Sequence, residues 1–132
     1  MAGTLVANTI NTDTGLFATN NAYLGIAKAW VNFQGGGSGT SAGTINGSFN
    51  VSSITVNGTG DYTVNFTTAM ANANYATLTM AQLNNAVGTN TPLAYQPYNE
   101  SSISTSSRRV FCRDSGGTMT NVFQYYVGIF GA

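Results

Sequence analysis

Few side chains in this 132-residue chain could do covalent or acid–base chemistry, and the types present exclude most of it. It has no histidine and a single cysteine, Cys112, so Ser-His-Asp and Cys-His nucleophiles and zinc sites of the ordinary kind lack their parts. The carboxylates are Asp13, Asp61, Glu100 and Asp114. A glycosidase needs two carboxylates about one bond. Asp13 lies in the turn-broken N-terminal segment and Asp61 follows Gly60 in a turn, which leaves Glu100 with Asp114 as the one pair to weigh, and Asp114 itself opens the turn Asp114-Ser115-Gly116-Gly117. Calcium takes several oxygens together, and these four acids are scattered. The expectation is a chain that is not an enzyme, with no catalytic residue, cofactor or metal.

The remaining polar candidates point to contacts rather than catalysis. Cys112, inside Arg109-Val110-Phe111-Cys112-Arg113, reads as a small buried strand residue, and a lone cysteine makes no intrachain disulfide. Arg108, Arg109 and Arg113 are the one concentration of charge. Neighbours in a strand point to opposite faces, so Arg108 and Arg109 do not form a basic patch; an edge-strand or interface role is expected of Arg109 and Arg113. Tyr95, Tyr98, Tyr125 and Tyr126 are the candidates for partner or glycan contact, because a phenol offers an apolar face and a polar tip. Of the adjacent pair Tyr125 and Tyr126, one faces inward and the other outward. Trp30 is read as a core or interface residue.

Composition sets the class. Charged residues are 6% of the chain against roughly 25% in ordinary soluble proteins, while hydrophobic residues reach 42%. That combination describes a folded protein with an uncharged polar surface rather than a disordered one. The net charge is zero, so no long-range field draws nucleic acid or anionic lipid. A chain near neutrality associates readily, which predicts a stable oligomer or a place in a larger particle. No signal peptide is legible in Met1-Ala2-Gly3-Thr4-Leu5-Val6, and no run approaches the ~18 apolar residues of a membrane span.

The elements follow from period-two patterns. Residues 1–26 read as an extended N-terminal arm whose apolar side chains, Leu5, Val6, Ile10, Leu16, Phe17, Tyr23 and Leu24, cannot make a core of their own and are the candidate anchor or oligomer contacts. Residues 27–132 read as the globular domain, opening with the strand Ala27 to Phe33. Gly35 to Gly43 is read as a flexible loop; its glycines mimic a dinucleotide fingerprint, but a β-type run follows where a helix is required. Ser48 to Phe66 reads as a hairpin, with Asn57-Gly58 and Gly60 supplying positive φ. Runs at 74–80, 92–98, 106–112 and 121–130 complete about seven or eight strands, and Thr68 to Ala73 could form one helical turn. The last run, the most apolar, belongs in the middle of a sheet. The fold class is all-β, an antiparallel β-sandwich or open barrel, with Phe49, Val51, Ile54, Val64, Phe66, Phe111, Val122 and Phe123 expected in the core.

Three blocks also carry a resemblance: Ala27-Lys28-Ala29-Trp30-Val31-Asn32-Phe33, Ser48-Phe49-Asn50-Val51-Ser52-Ser53-Ile54, and Asn57 through Met70 with Ala73-Asn74-Tyr75. They are similar to a domain that recurs at the ends of tail-fibre-like and other virion proteins of tailed phages, especially aquatic, cyanophage-like ones. The likeness covers about the first half of the globular part. Members of that family are often long chains with this domain at the end. Here it stands almost alone behind a short arm, which shifts the expectation from a shaft-forming fibre to a small head fibre, a capsid decoration or a fibre tip. The resemblance implies a structural virion protein, made in the host cytoplasm and located in the virion, an outward-facing fibre or cement-like decoration attached by its arm. Its partners would be further copies of itself, as a homotrimer, and other virion proteins of capsid or tail, with no nucleic acid and no membrane. The alternative is a host-surface glycan-binding adhesin at a tail fibre tip; a polysaccharide depolymerase is disfavoured by the scarcity of carboxylates.

Overall fold

The computed structural model describes residues 9–12, 15–18, 25–37, 39–82, 93–95 and 103–131. These form ten strands: β1 (Thr9–Thr12), β2 (Gly15–Ala18), β3 (Ala27–Gln34), β4 (Ile45–Phe49), β5 (Val51–Gly58), β6 (Asp61–Phe66), β7 (Ala76–Gln82), β8 (Leu93–Tyr95), β9 (Ser107–Arg113) and β10 (Gln124–Phe130). All pairing is antiparallel, in two four-stranded sheets of order β4-β3-β10-β7 and β5-β6-β9-β8, with β1 and β2 forming a separate hairpin. The chain is therefore all-β. Residues 68–73 form bends rather than a helical turn.

One apolar core joins the inner faces of the two larger sheets, giving a sandwich-like body. Alternation decides which residues enter it. Ala29, Val31 and Phe33 of β3 and Tyr125, Val127 and Ile129 of β10 point inward from the first sheet; Tyr62, Val64 and Phe66 of β6 and Val110 and Cys112 of β9 point inward from the second. Phe33 and Tyr125 stack at 5.5 Å, and the Tyr62 ring meets Phe33 edge-on at 5.1 Å from the opposite sheet. A buried phenol must place its hydroxyl. Tyr62 donates to Gly35 O of the first sheet's loop at 2.5 Å, and Tyr125 donates to Phe111 O of the second sheet at 2.8 Å.

The expected hairpin differs in one instructive place. Ser48 to Val51 is not one strand: Asn50 has φ +55°, the one non-glycine in the left-handed region among the described residues, and there the chain leaves the first sheet for the second. The Asn50 side chain holds the corner, donating to Lys28 O at 3.0 Å and Thr68 O at 3.1 Å and accepting from Thr68 N at 2.7 Å. Asparagine tolerates this conformation better than other side chains do. Because of the corner, Phe49 projects outward from β4 while Val51 points into the core from β5. The β5–β6 turn also places positive φ on Gly60 alone, not on Asn57-Gly58. A Cβ at Gly60 would lie 2.4 Å from Thr120 O, so the strand approaches the 118–121 segment closely enough to require glycine.

Of the expected core residues, Val51, Val64, Phe66 and Val122 are buried and Ile54 packs partly against them. Phe49 is exposed, whereas Phe111 and Phe123 are half-buried; Phe111 shares the outward phase of Arg109, and the Arg113 guanidinium lies 5.1 Å from its ring centre. The Gly35 to Gly43 loop is tied down by Gly35 N–H donating to Phe123 O and Gly37 N–H to Val122 O. The most apolar strand, β10, does sit inside its sheet, between β3 and β7.

Phe66 meets Tyr75 edge-on at 6.0 Å within this core. Phe66→Ala is expected to destabilise the fold by roughly 3–5 kcal/mol, as large-to-small changes at aromatic core sites do. Urea unfolding would check this, and an unchanged midpoint would remove Phe66 from the core.

Candidate functional site

Among the described residues, the acidic side chains and the cysteine are occupied with structure. Asp61 accepts a two-pronged contact from Arg109, from Nε at 2.8 Å and from Nη2, across neighbouring strands β6 and β9. The hydrogen bond from Arg109 holds the Asp61 carboxyl below its ordinary range, against a smaller opposing effect of burial. Asp114 caps its own turn, with Oδ1 accepting from Gly116 N and Thr118 N at 2.9 Å each. Cys112 is buried, and burial pushes its thiol up to about 11. Asp13 and Glu100 lie outside the described residues. Among the described residues no three His, Cys, Asp or Glu side chains converge on a metal position, and no helix is long and apolar enough to cross a membrane.

Arg108 and Arg109 do point oppositely: Arg108 is buried, and burial draws its guanidinium below the ordinary range, while Arg109 is exposed. Strand β9 is interior to its sheet, flanked by β6 and β8, so the expected edge-strand role does not apply. Tyr125 is wholly buried and is corrected from contact residue to core; its neighbour Tyr126 faces out. Tyr95 belongs to β8. Tyr98, Leu5, Val6, Tyr23 and Leu24 lie outside the described residues, whereas Ile10 falls in β1 and Leu16 and Phe17 in β2, with Ile10 opposite Phe17 in the register.

The feature that stands out is the outer face of the β4-β3-β10-β7 sheet. Pairing sets its side chains in rows across the strands. One row runs Phe49, Trp30, Gly128, Leu78; the next runs Gly47, Asn32, Tyr126, Met80; the third runs Gln34, Gln124, Gln82. Phe49 is 55% exposed, Trp30 45%, Leu78 62% and Met80 67%. Trp30 leans over Gly47 and Phe130 over Gly128, since a Cβ at those glycines would lie 3.6 Å and 3.1 Å from the respective rings. Between Trp30, Leu78, Met80, Tyr126 and Phe130 this leaves an almost wholly apolar hollow of about 390 Å³ floored by Gly128. The Tyr126 hydroxyl sits between the side-chain oxygens of Gln82 at 2.7 Å and Gln124 at 2.6 Å, marking the polar end of the face.

The opposite outer face is of another kind. On β5 and β6, Asn65 donates to Ser53 Oγ at 3.0 Å and Thr55 Oγ1 at 2.9 Å, and Asn57 donates to Thr63 Oγ1 at 2.9 Å. It is a wetted lattice of short polar side chains bracketed by the Asp61–Arg109 pair. Among the described residues, a contiguous exposed apolar surface on one sheet and a hydrogen-bonded polar one on the other make the first the candidate binding surface.

Sequence reasoning took Trp30 as core or interface and missed Leu78 and Met80. Strand β7 runs against habit, with Thr77 and Thr79 on its inner phase and Leu78 and Met80 outside. No protein-family model matches the chain, and neither a curated protein nor a solved structure matches it.

The Asp61 carboxyl gives a pH prediction. Its folded-state value is depressed, so its contribution to stability is complete above the unfolded-state value near 3.8 and is lost as pH falls through the lower folded value. Arg109 is half exposed, which limits the pair to under about 1 kcal/mol. Asp61→Asn should be slightly less stable than the parent at pH 7, and the gap should close as pH falls below the unfolded-state value and through the lower folded one. Urea titrations at both ends would read it; a gap independent of pH would assign the effect to shape rather than charge.

Proposed function

We propose that this chain is a structural component of a tailed-phage virion, an outward-facing fibre or cement-like decoration that assembles as a homotrimer. Residues 1–26 act as its arm, contributing to oligomer contacts and attaching it to capsid or tail proteins, and residues 27–132 form the projecting β-sandwich. The observation that carries the reading is the unlike pair of outer faces: a hydrogen-bonded polar lattice beside the Asp61–Arg109 pair, suited to solvent, and an apolar uncharged one suited to protein contact. The sequence blocks that resemble phage virion domains supply its placement. They include β3 of the first sheet and the β5–β6 hairpin of the second.

The alternative is a glycan-binding adhesin at a fibre tip. Sugars are held by stacking together with several hydrogen bonds, and the hollow beside Trp30 presents nearly all carbon. Tyr125, one of its expected contact residues, is inside the core. Both observations favour the structural reading. In it the protein is synthesised in the host cytoplasm and ends in the virion, without catalytic work.

Weak arms joined in one oligomer bind with large avidity, so the arm need not bind tightly alone. Deleting residues 1–20 is expected to leave a folded protein, by its β-type circular dichroism, that no longer joins virions during infection by a phage lacking the native gene. Normal occupancy of the truncated protein in purified particles would move the attachment surface to the β-domain.

A further inference from the structure

We infer that the outer face of the β4-β3-β10-β7 sheet, centred on Gly128, is where copies of this chain meet, with their symmetry axis parallel to the strands. This deepens the proposed self-association by naming its surface and geometry.

Three observations select another copy as the occupant. First, area. Four strands about 4.8 Å apart, three of them seven or eight residues long and β4 five, span at about 3.3 Å per residue a face of roughly 19 by 23 Å. Trp30, Phe49, Leu78 and Met80 alone leave on the order of 450 Å² in water, already the size of the largest patch on an ordinary monomer. With Phe130, Tyr126 and the amide row, the face approaches the ~800 Å² per partner of a stable complex.

Second, charge. No acidic or basic side chain lies in the three rows, and Lys28 stands at the β3 bulge at the end of the face. An identical surface can therefore be set against this one without burying a charge, whereas a partner rich in charge would gain nothing here.

Third, order along the strands. The rows grade from apolar through mixed to glutamine, and the grading is the same across β3, β10 and β7. Rotation about an axis parallel to the strands keeps each row at its own height. Carbon then meets carbon, and Gln34, Gln82 and Gln124 meet amides that can both donate and accept. A two-fold axis lying between the faces and perpendicular to the strands would instead reverse the gradient and set glutamines against Leu78 and Phe49. The hollow over Gly128 gives the apolar row a socket, filled in this arrangement by a projecting side chain of the neighbouring copy at the same height. Cyclic assembly of this kind closes on itself and leaves the polar face of the other sheet outward.

The full-length chain is tested by sedimentation together with fluorescence of Trp30, its single tryptophan. The parent is expected to be a trimer at about 10 μM with blue-shifted emission, a micromolar scale at which stable interfaces are formed. Met80→Glu and Leu78→Glu, both on exposed positions, are expected to weaken association at least 100-fold and shift Trp30 emission to the red with strand content retained; Thr55→Glu on the polar face should change neither. A monomeric parent would overturn self-association and this surface together. A trimeric parent whose two glutamate variants stay trimeric with unshifted emission would overturn this surface alone. Should those variants stay trimeric while deletion of residues 1–20 gives monomers, the arm and not the sheet joins the copies. If the glutamate variants lose strand content, Leu78→Ser and Met80→Ser replace them, with the same two outcomes.

Discussion

The two sheets are held to one another by a reciprocal exchange of phenol hydroxyls. Tyr62 rises from the second sheet and delivers its proton to Gly35 O of the first; Tyr125 rises from the first and delivers its proton to Phe111 O of the second. Phe33 lies against both rings. A buried phenol must keep its hydroxyl bonded, and Asn121 Oδ1 also lies 3.3 Å from that of Tyr62, so these bonds fix a separation and a register as well as an energy. Burial pushes the Tyr62 phenol up to about 12, with the nearby Cys112 and Asp61 adding to it, so it stays a donor at any ordinary pH. Alternation does the rest: once Phe33 and Tyr125 point in, Trp30, Asn32, Tyr126, Gly128 and Phe130 must point out. The composition of the exposed face is thus set by which residues the aromatic core claims.

The same logic explains what could be read from the sequence. Strands β3, β6 and β10 each bury every second residue, and their alternating patterns are plain. The inward phase of β7 carries Thr77, Thr79 and Ala81, each only half-buried, while Leu78 and Met80 stand outside, so its hydrophobic phase points the wrong way for inference. The corner at Asn50 was likewise hidden. A run such as Ser-Phe-Asn-Val-Ser carries the same local pattern whether it is one strand or the end of one and the start of another. What breaks it is a set of hydrogen bonds to Lys28 and Thr68, both distant in sequence. Tyr125 and Tyr126 show the limit most simply: adjacency says that they divide between inside and outside, and only the sheet partners say which goes where.

The two outer faces put opposite demands on the sequence. Asn, Ser and Thr on β5 and β6 bond among themselves and leave little for a partner to gain by displacing water. On the other sheet, Gly47 and Gly128 lower the surface locally and the large residues stand up around them, giving relief rather than flatness. Relief confers specificity, because only a surface of complementary height fills it. An alanine at Gly128 would crowd the Phe130 ring and partly fill the hollow.

The pairing of β3 with β10 sets the timetable of folding. Ala27 and Phe130 are register partners although about a hundred residues separate them. During synthesis β3 and β4 can form only a bare two-stranded ribbon, and β7 has no neighbour until β10 arrives between them. Loop-closure entropy must be met before these non-local contacts return anything, which makes such topologies slow. Throughout that interval Trp30, Phe49, Leu78 and Met80 are exposed on unfinished edges. The near-absence of charge offers no repulsion between incomplete chains, so exposure to aggregation lasts until β10 closes the sheet.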